Sequence, residues 1–502
     1  HLTQTNANDF AMAITENQAL RVLWVRSLEQ ASDNGEIWSA QDAQEATQAT
    51  KAITAEKSPF DLFVARRAEI VIGQIAKRNP ELSGELNKRP SLAALGWILV
   101  AAAFSTGFIT DHLMAARWVN VIEWPIVVLM AWNLFFVTYI AGQYVWSIFR
   151  SSKQPGHSWS TDILGRWQLW GFASLSRRKK VRAWTKKFET QWQKNSMALN
   201  TLRISLVFHA ASIAFAIGTL GNLYLRGLFK EYRVGWESTF LSADTMHAIA
   251  SVVLAPGAWL FNMTIPDTEY IARLQIPNGR GDFAADWIHL YAGSILVCVI
   301  IPRLFLLVIT GYSKSRLARN FPLPLTSMYY TALRAMRAGY QASVVTVPFR
   351  YELTSEMKSK LALLLKRVHG LSSTVTLEQP VAMGHDANDW KTAFHSKGYI
   401  AVFVIFNLAA TAEHDTHGRV MQRILKECKG HAPVIPIVDT STYVDRNNDR
   451  NNAQNKLRFN QRCDQWRSVL DAVDCTPLFL DLLTRDQDHA YESVAAKLYA
   501  YN

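Results

Sequence analysis

The stretch that most constrains this chain is Trp287–Gly311, WIHLYAGSILVCVIIPRLFLLVITG, an apolar run carrying the pair Pro302-Arg303 past its middle. About 20 residues of helix cross the hydrocarbon of a bilayer, and this run is slightly longer, so a tilted transmembrane helix is expected. Trp287 and Tyr291 suit one membrane interface, whereas Lys314, Arg316 and Arg319 suit a cytoplasmic one.

Three further apolar runs precede it: Leu92–Thr110, Val119–Phe149 and Ile204–Leu225. The first two are joined by a short link and are expected to form an antiparallel hairpin. Ala210, Ala214 and Gly218 make a small-residue ridge on the third, which favours close helix contact. Met246–Met263 is also apolar, but Pro256-Gly257 interrupts it. A full span there would put the basic exit at 314–319 on the wrong side, so an interfacial or re-entrant segment is expected. The reading is therefore four spans with both termini cytoplasmic.

Charge supports that topology. The chain has 502 residues and a formal net charge of +12. Much of the excess sits in a basic loop, 150–203, which contains Arg177, Arg178, Lys179 and Lys180 against Asp162 and Glu189. An excess of lysine and arginine marks cytoplasmic loops, and this reading is preferred here to nucleic-acid binding. The four cysteines, Cys298, Cys428, Cys463 and Cys475, form no C-x-x-C pair, so neither a zinc ribbon nor a disulfide framework is expected. No secretory signal is recognisable in the first 30 residues, which carry acids and lack a compact apolar core.

Three regions follow. Residues 1–90 are expected to be an N-terminal helical cytoplasmic region, with Leu20, Leu23, Trp24 and Leu28, then Phe60, Phe63, Val64 and Ile70, at helical spacing. Ser58-Pro59 reads as a helix start, and 40–55 is only weakly amphipathic. Residues 91–312 form the transmembrane domain, with 226–286 as its outer or re-entrant segment. Residues 320–502 alternate strand and helix patterns: Ser343–Val347, Ser373–Leu377, Ile400–Phe406, Pro433–Val438 and Pro477–Leu480 are β-rich, with helical stretches between them. That alternation predicts a cytoplasmic three-layer α/β domain with a mainly parallel sheet.

Few residues carry chemistry. Arg303 is a charge inside an apolar run, a costly placement that marks a functional candidate. The preferred reading is a structural pair with an acid on another helix, helped by a carbonyl that Pro302 frees. Glu123 and His209 are the other polar residues near or within spans. Trp236 and Glu237 could cap a vestibule, although an interfacial anchor is the simpler role. His414 and His417, in Glu413-His414-Asp415-Thr416-His417, suggest a metal site at first sight. Two histidines in a loop without further ligands are read instead as solvated. No nucleophile–base pair is recognisable, so neither a catalytic residue nor a cofactor is expected.

Two resemblances add to this. The layout of 340–500 resembles a GTPase-type domain, but the nucleotide motifs are missing. After the first strand the chain runs Pro348-Phe349-Arg350-Tyr351-Glu352, without the glycines and lysine that cradle phosphates. Asp439-Thr440-Ser441-Thr442 stands where the guanine-reading Asn-Lys-x-Asp would be. Secondly, the WESTFL stretch (Trp236–Leu241), Pro302-Arg303 and Asn407-Leu408-Ala409-Ala410-Thr411 resemble markers of an uncharacterised bacterial inner-membrane protein family, often encoded beside a GTPase. The resemblance implies a GTPase partner, and no catalytic residue carries over. The expected protein is non-enzymatic, sits in a lipid bilayer and uses its α/β domain to dock a partner; it binds no nucleic acid, and a homo-oligomer is compatible. The alternative is a channel or transporter subunit with Arg303 on its path.

Overall fold

The computed structural model describes residues 14–31, 37–80, 92–109, 118–121, 130–135, 138, 139, 142, 182–276, 281–340, 342–379, 399–428, 432–446, 453–484 and 486–500. The chain divides into two compact units. Unit one comprises His1–Lys88, Ser174–Asn195 and Arg319–Asn502; unit two comprises Arg89–Ala173 and Ser196–Ala318.

Unit one begins with α1 (Glu16–Ala31), α2 (Ala40–Ile53) and α3 (Phe60–Arg78). The weak amphipathicity of α2 is compensated at its start. Ser39 Oγ accepts from the Asp42 amide at 3.1 Å, and Asp42 accepts in return from the Ser39 amide at 3.0 Å. The hydrogen bond from Arg78 to Asp42, at 2.8 Å, is the main cause that holds this carboxyl below its usual range. As Ser58-Pro59 signalled, Pro59 caps α3.

Unit two contains α4 (Leu92–Ile109), β1 (Trp118–Asn120), most of α5 (Arg182–Gly227), β2 (Arg233–Gly235), α6 (Ala243–Phe261), α7 (Thr268–Arg273), β3 (Asp282–Phe283), α8 (Ala285–Ile295) and α9 (Ile301–Arg319). Among the described residues two helices are long and apolar enough to cross a membrane, Phe188–Gly227 and Ala285–Arg319; the apolar helix Ala94–Ile109 is shorter. Three expectations change. Residues 182–203 belong to α5, not to a loop. Val119 lies in β1, in register with Val234, so no helix starts there. Most of the expected span 119–149, with Glu123, falls outside the described residues. Finally, α6 runs through Pro256 without ending.

Close helix contacts in unit two use glycine. A Cβ on Gly218 would strike the Phe104 carbonyl, and one on Gly107 the Phe215 carbonyl, so α4 and α5 touch backbone to backbone. The α6–α8 contact is similar: a Cβ on Gly257 would strike the Leu290 carbonyl, and Gly257 donates its amide to Ser294 Oγ at 3.1 Å. β2 pairs in parallel with β1 and antiparallel with β3, Arg233 opposite Phe283 and Val234 opposite Asp282.

Unit one resumes with α10 (Met328–Arg337), β4 (Ser343–Pro348), α11 (Ser355–His369), β5 (Thr374–Leu377), β6 (Tyr399–Asn407), α12 (Arg419–Cys428), β7 (Val434–Asp439), α13 (Ser441–Arg446), α14 (Ala453–Asp471), β8 (Leu478–Leu480) and α15 (Gln487–Ala500). The five strands form one wholly parallel sheet in the order β5-β4-β6-β7-β8. Alternate residues of β6 serve opposite faces. Ala401, Phe403 and Ile405 meet α11 and α15, while Val402, Val404 and Phe406 meet α12 and α14. Burial on both faces explains why its sequence is an unbroken apolar run.

The N-terminal helices join this unit through charged and polar contacts. Arg67, on α3, donates to Glu29 Oε1 at 2.7 Å, Thr47 Oγ1 at 2.9 Å, the Tyr329 hydroxyl at 3.2 Å and the Ala43 carbonyl at 3.2 Å. Tyr329, on α10, donates to the other Glu29 oxygen at 2.9 Å. All three side chains are buried. Burial alone would lower the Arg67 pKa, but Glu29 and Tyr329 outweigh it and hold the guanidinium above its ordinary value.

Candidate functional site

In a doubly wound sheet ligands bind beyond the carboxyl ends of the strands, at the point where the strand order reverses. Here that point lies between β4 and β6, whose ends carry Pro348-Phe349-Arg350 and Asn407-Leu408. Arg350 turns the chain with φ 49°, a left-handed conformation that glycine adopts at lower cost. Phe349 and Phe406 meet the ring of His417 edge-on at 5.6 Å each, and Trp466 meets it at 4.8 Å. Aromatic side chains thus occupy the space beside the strand ends.

His417 is buried, in contrast to the solvated loop expected. Its Nδ1 accepts from the Glu413 amide at 3.2 Å, which leaves the proton on Nε2. Burial, with a smaller contribution from Arg350, keeps the imidazole below its usual pKa. The reason for the correction is the π-turn His414–Gly418, which rotates His417 inward while Glu413, His414 and Asp415 remain exposed. Among the described residues no three His, Cys, Asp or Glu side chains are grouped as a metal would require.

One strand further, Asp439 at the end of β7 is fully buried and accepts four hydrogen bonds. They come from the Tyr351 hydroxyl at 2.6 Å, Ser441 Oγ at 2.6 Å, and the amides of Ser441 and Leu482 at 3.1 Å. Burial and then this bond to Asp439 push the Tyr351 phenol above its usual range. Asn407 adds a second tie, accepting from Thr442 Oγ1 at 2.7 Å and the Ala409 amide at 2.9 Å. A carboxylate so fully engaged acts as a structural acceptor that fastens the loops after β4, β7 and β8, with no lone pair directed at a substrate. Sequence reading passed over Tyr351 in this role. The available signal was a strand-end Asp followed by Thr-Ser, a pattern that favours such local turns.

Unit two holds the other candidates. Arg303 is 7% exposed; its Nε donates to Asn133 Oδ1 at 2.8 Å, and Nη1 lies 3.2 Å from His209 Nδ1. Both of these partners lie on other helical segments, and neither is the acid that the sequence suggests. Pro302 precedes Arg303 in α9. The turn before it is a π-turn, Leu296–Ile300, a wider arrangement often found where the helical ladder is disturbed. Trp236 is buried and closes a loop: its indole donates to the Ile271 carbonyl at 2.7 Å, and its amide and carbonyl bond with Leu274 and Ile276. Glu237 beside it is exposed. Arg303 and His209 therefore come together, with Asn133 as a partner that sequence reading did not single out.

Residues 172–346 match a family model described as a protein of unknown function (DUF2868). The matched stretch, less than half of the chain, is similar to that family and contains His209, Trp236, Pro302 and Arg303. No curated protein and no solved structure matches the chain.

Proposed function

We propose that the chain is a non-enzymatic integral protein of the bacterial inner membrane, with four spans and both termini cytoplasmic, whose α/β unit docks a cytoplasmic partner. The partner to test first is a GTPase. The membrane part is supported by an inverted arrangement of side chains. Trp97, Phe104, Phe208, Phe305 and Val308 are exposed on α4, α5 and α9, whereas Arg303, Asn133 and His209 are buried. Hydrocarbon solvent favours that inversion, because polar groups there must find partners inside the bundle.

Strand pairing supports the span count. β2 and β3 bracket α6 and are hydrogen-bonded to each other, so the segment between them leaves and returns on one side. β1 joins the same sheet, which brings Trp118–Asn120 to that side. An outward α4, an inward second span as the sequence suggests, an outward α5 and an inward α8–α9 then satisfy the basic flanks at 150–203 and 314–319. The basic stretch is assigned to the cytoplasmic face rather than to nucleic acid, and a homo-oligomer is compatible.

The docking part rests on one observation: the crevice at the sheet's switch point is filled by Phe349, His417 and Trp466, and the adjoining loops are tied to Asp439. A G-domain-like layout without a phosphate cradle suits a fixed platform. The test uses the full chain in nanodiscs. Calorimetry is expected to show no sub-micromolar binding of GTP or ATP, and affinity capture from native bacterial membranes to enrich a nucleotide hydrolase. Sub-micromolar binding of either nucleotide refutes the platform reading, and so does capture without a hydrolase.

A channel or transporter subunit is the second reading, favoured by the buried Arg303–His209–Asn133 cluster. It requires Arg303→Lys to alter ion flux in liposomes with melting unchanged, because lysine keeps the charge but loses the planar fork.

A further inference from the structure

The three-stranded sheet gathers the end of α5, the approach to α6 and the start of α8 at one end of unit two, and large aromatic side chains there are exposed beside charged ones. Phe229 follows α5 and is 82% exposed, Phe240 precedes α6 at 95%, and Phe283 lies in β3 at 66%. The three come from separate segments, and the register Arg233 opposite Phe283 fixes two of those segments at the same level. From Phe229 the exposed apolar surface continues through Leu228 into Leu225 on α5. Lys230 and Arg233, beside Phe229, are exposed cations; Arg233 also pairs with Glu231 at 3.1 Å.

We propose that this end of unit two is seated in the interfacial layer of the outer leaflet, with Phe229, Phe240 and Phe283 inserted below the headgroups and Lys230 at the level of the lipid phosphates. The inference rests on the membrane reading above and goes beyond it by naming what covers the sheet end. Its basis is continuity with the lipid-facing surface of α5. Aromatic side chains at the headgroup level, flanked by cations, are the arrangement that anchors a protein at a bilayer interface.

The test is nitroxide labelling at F229C and F240C in nanodiscs of phosphatidylethanolamine and phosphatidylglycerol, with L304C as the lipid-facing control and K358C as the aqueous one. Cys298, half-buried, is replaced by Ala. The three other cysteines stay, since all are buried and burial pushes the thiols of Cys428 and Cys463 up to about 11, where they react slowly at neutral pH. Collision rates with oxygen, which partitions into lipid, are compared with those of a water-soluble nickel chelate. At F229C and F240C oxygen is expected to exceed the chelate several-fold, as at L304C, with the reverse at K358C. Chelate-rich spectra at both phenylalanine positions beside an oxygen-rich L304C overturn the proposal and leave the membrane reading standing. Low collisions with both reagents, accompanied by dipolar broadening, mean that a second copy covers the surface and also overturn it. Chelate-rich spectra at L304C refute the membrane reading itself.

Discussion

Arg67→Met is the substitution whose outcome follows most directly from the structure. Methionine keeps the length of the side chain but removes all four hydrogen bonds, and it leaves the Glu29 carboxylate buried with Trp38 Nε1 at 3.2 Å and the Tyr329 hydroxyl at 2.9 Å. Removing one member of a buried ion pair typically costs about 3–5 kcal/mol, because the remaining charge has lost its counter-ion in a poorly solvated site. A domain has roughly 5–15 kcal/mol in total, so the loss is a large share. Replacing both partners, Glu29→Leu with Arg67→Met, removes two desolvation penalties as well as the attraction and is expected to cost less than the single change. The assay is hydrogen exchange by mass spectrometry on the full chain in nanodiscs, read on peptides from α1 and α3. A loss of 3 kcal/mol corresponds to roughly a hundredfold faster exchange there. Unchanged protection in Arg67→Met, or a double variant as exposed as the single one, refutes the account of Glu29–Arg67–Tyr329 as the pin between the N-terminal helices and α10.

Two further outcomes are expected. Gly257→Val places a branched side chain against the Leu290 carbonyl, so the α6–α8 contact must open; purified yield and melting temperature are expected to fall, whereas Gly227→Val, where a Cβ meets nothing, leaves both unchanged. His369 is buried against Phe403, and burial lowers its pKa from 6.5 to about 4. The unfolded chain therefore binds this proton more readily, and the group's contribution, fully present above pH 6.5, is lost as pH falls towards 4, by about 3 kcal/mol. Denaturation midpoints of wild type and His369→Leu across that window check this; equal slopes refute it.

Much of the α/β sheet was legible because its strands are short, β-branched and separated by helical periods: all five expected strands appear within a residue or two of their place. Both faces being covered makes such runs conspicuous. The N-terminal helices were equally legible as helices, but not their attachment to α10, since Glu29, Arg67 and Tyr329 are far apart in sequence and each alone looks like a surface residue. Arg303 is conspicuous as a charge in an apolar run, whereas Asn133 is an ordinary polar residue with nothing in the sequence to tie it to Arg303. His417 was misjudged for the opposite reason. The loop composition is polar, and a π-turn that redirects one side chain leaves no mark in the residues that form it.

The pairing of β2 with β3 has a consequence for the order of assembly. On the membrane reading, a span handed sideways into the bilayer during synthesis needs its two ends on opposite faces, and the segment that holds α6 is fastened to one sheet by β2 before it and β3 after it. α6 therefore has no settled position when it emerges. β3 is made after it, and so is α8, the helix whose Leu290 backbone receives Gly257. On that reading α8–α9 inserts first, and α6 closes on it as β2 and β3 pair. The last part of unit two to form is then a segment from its middle.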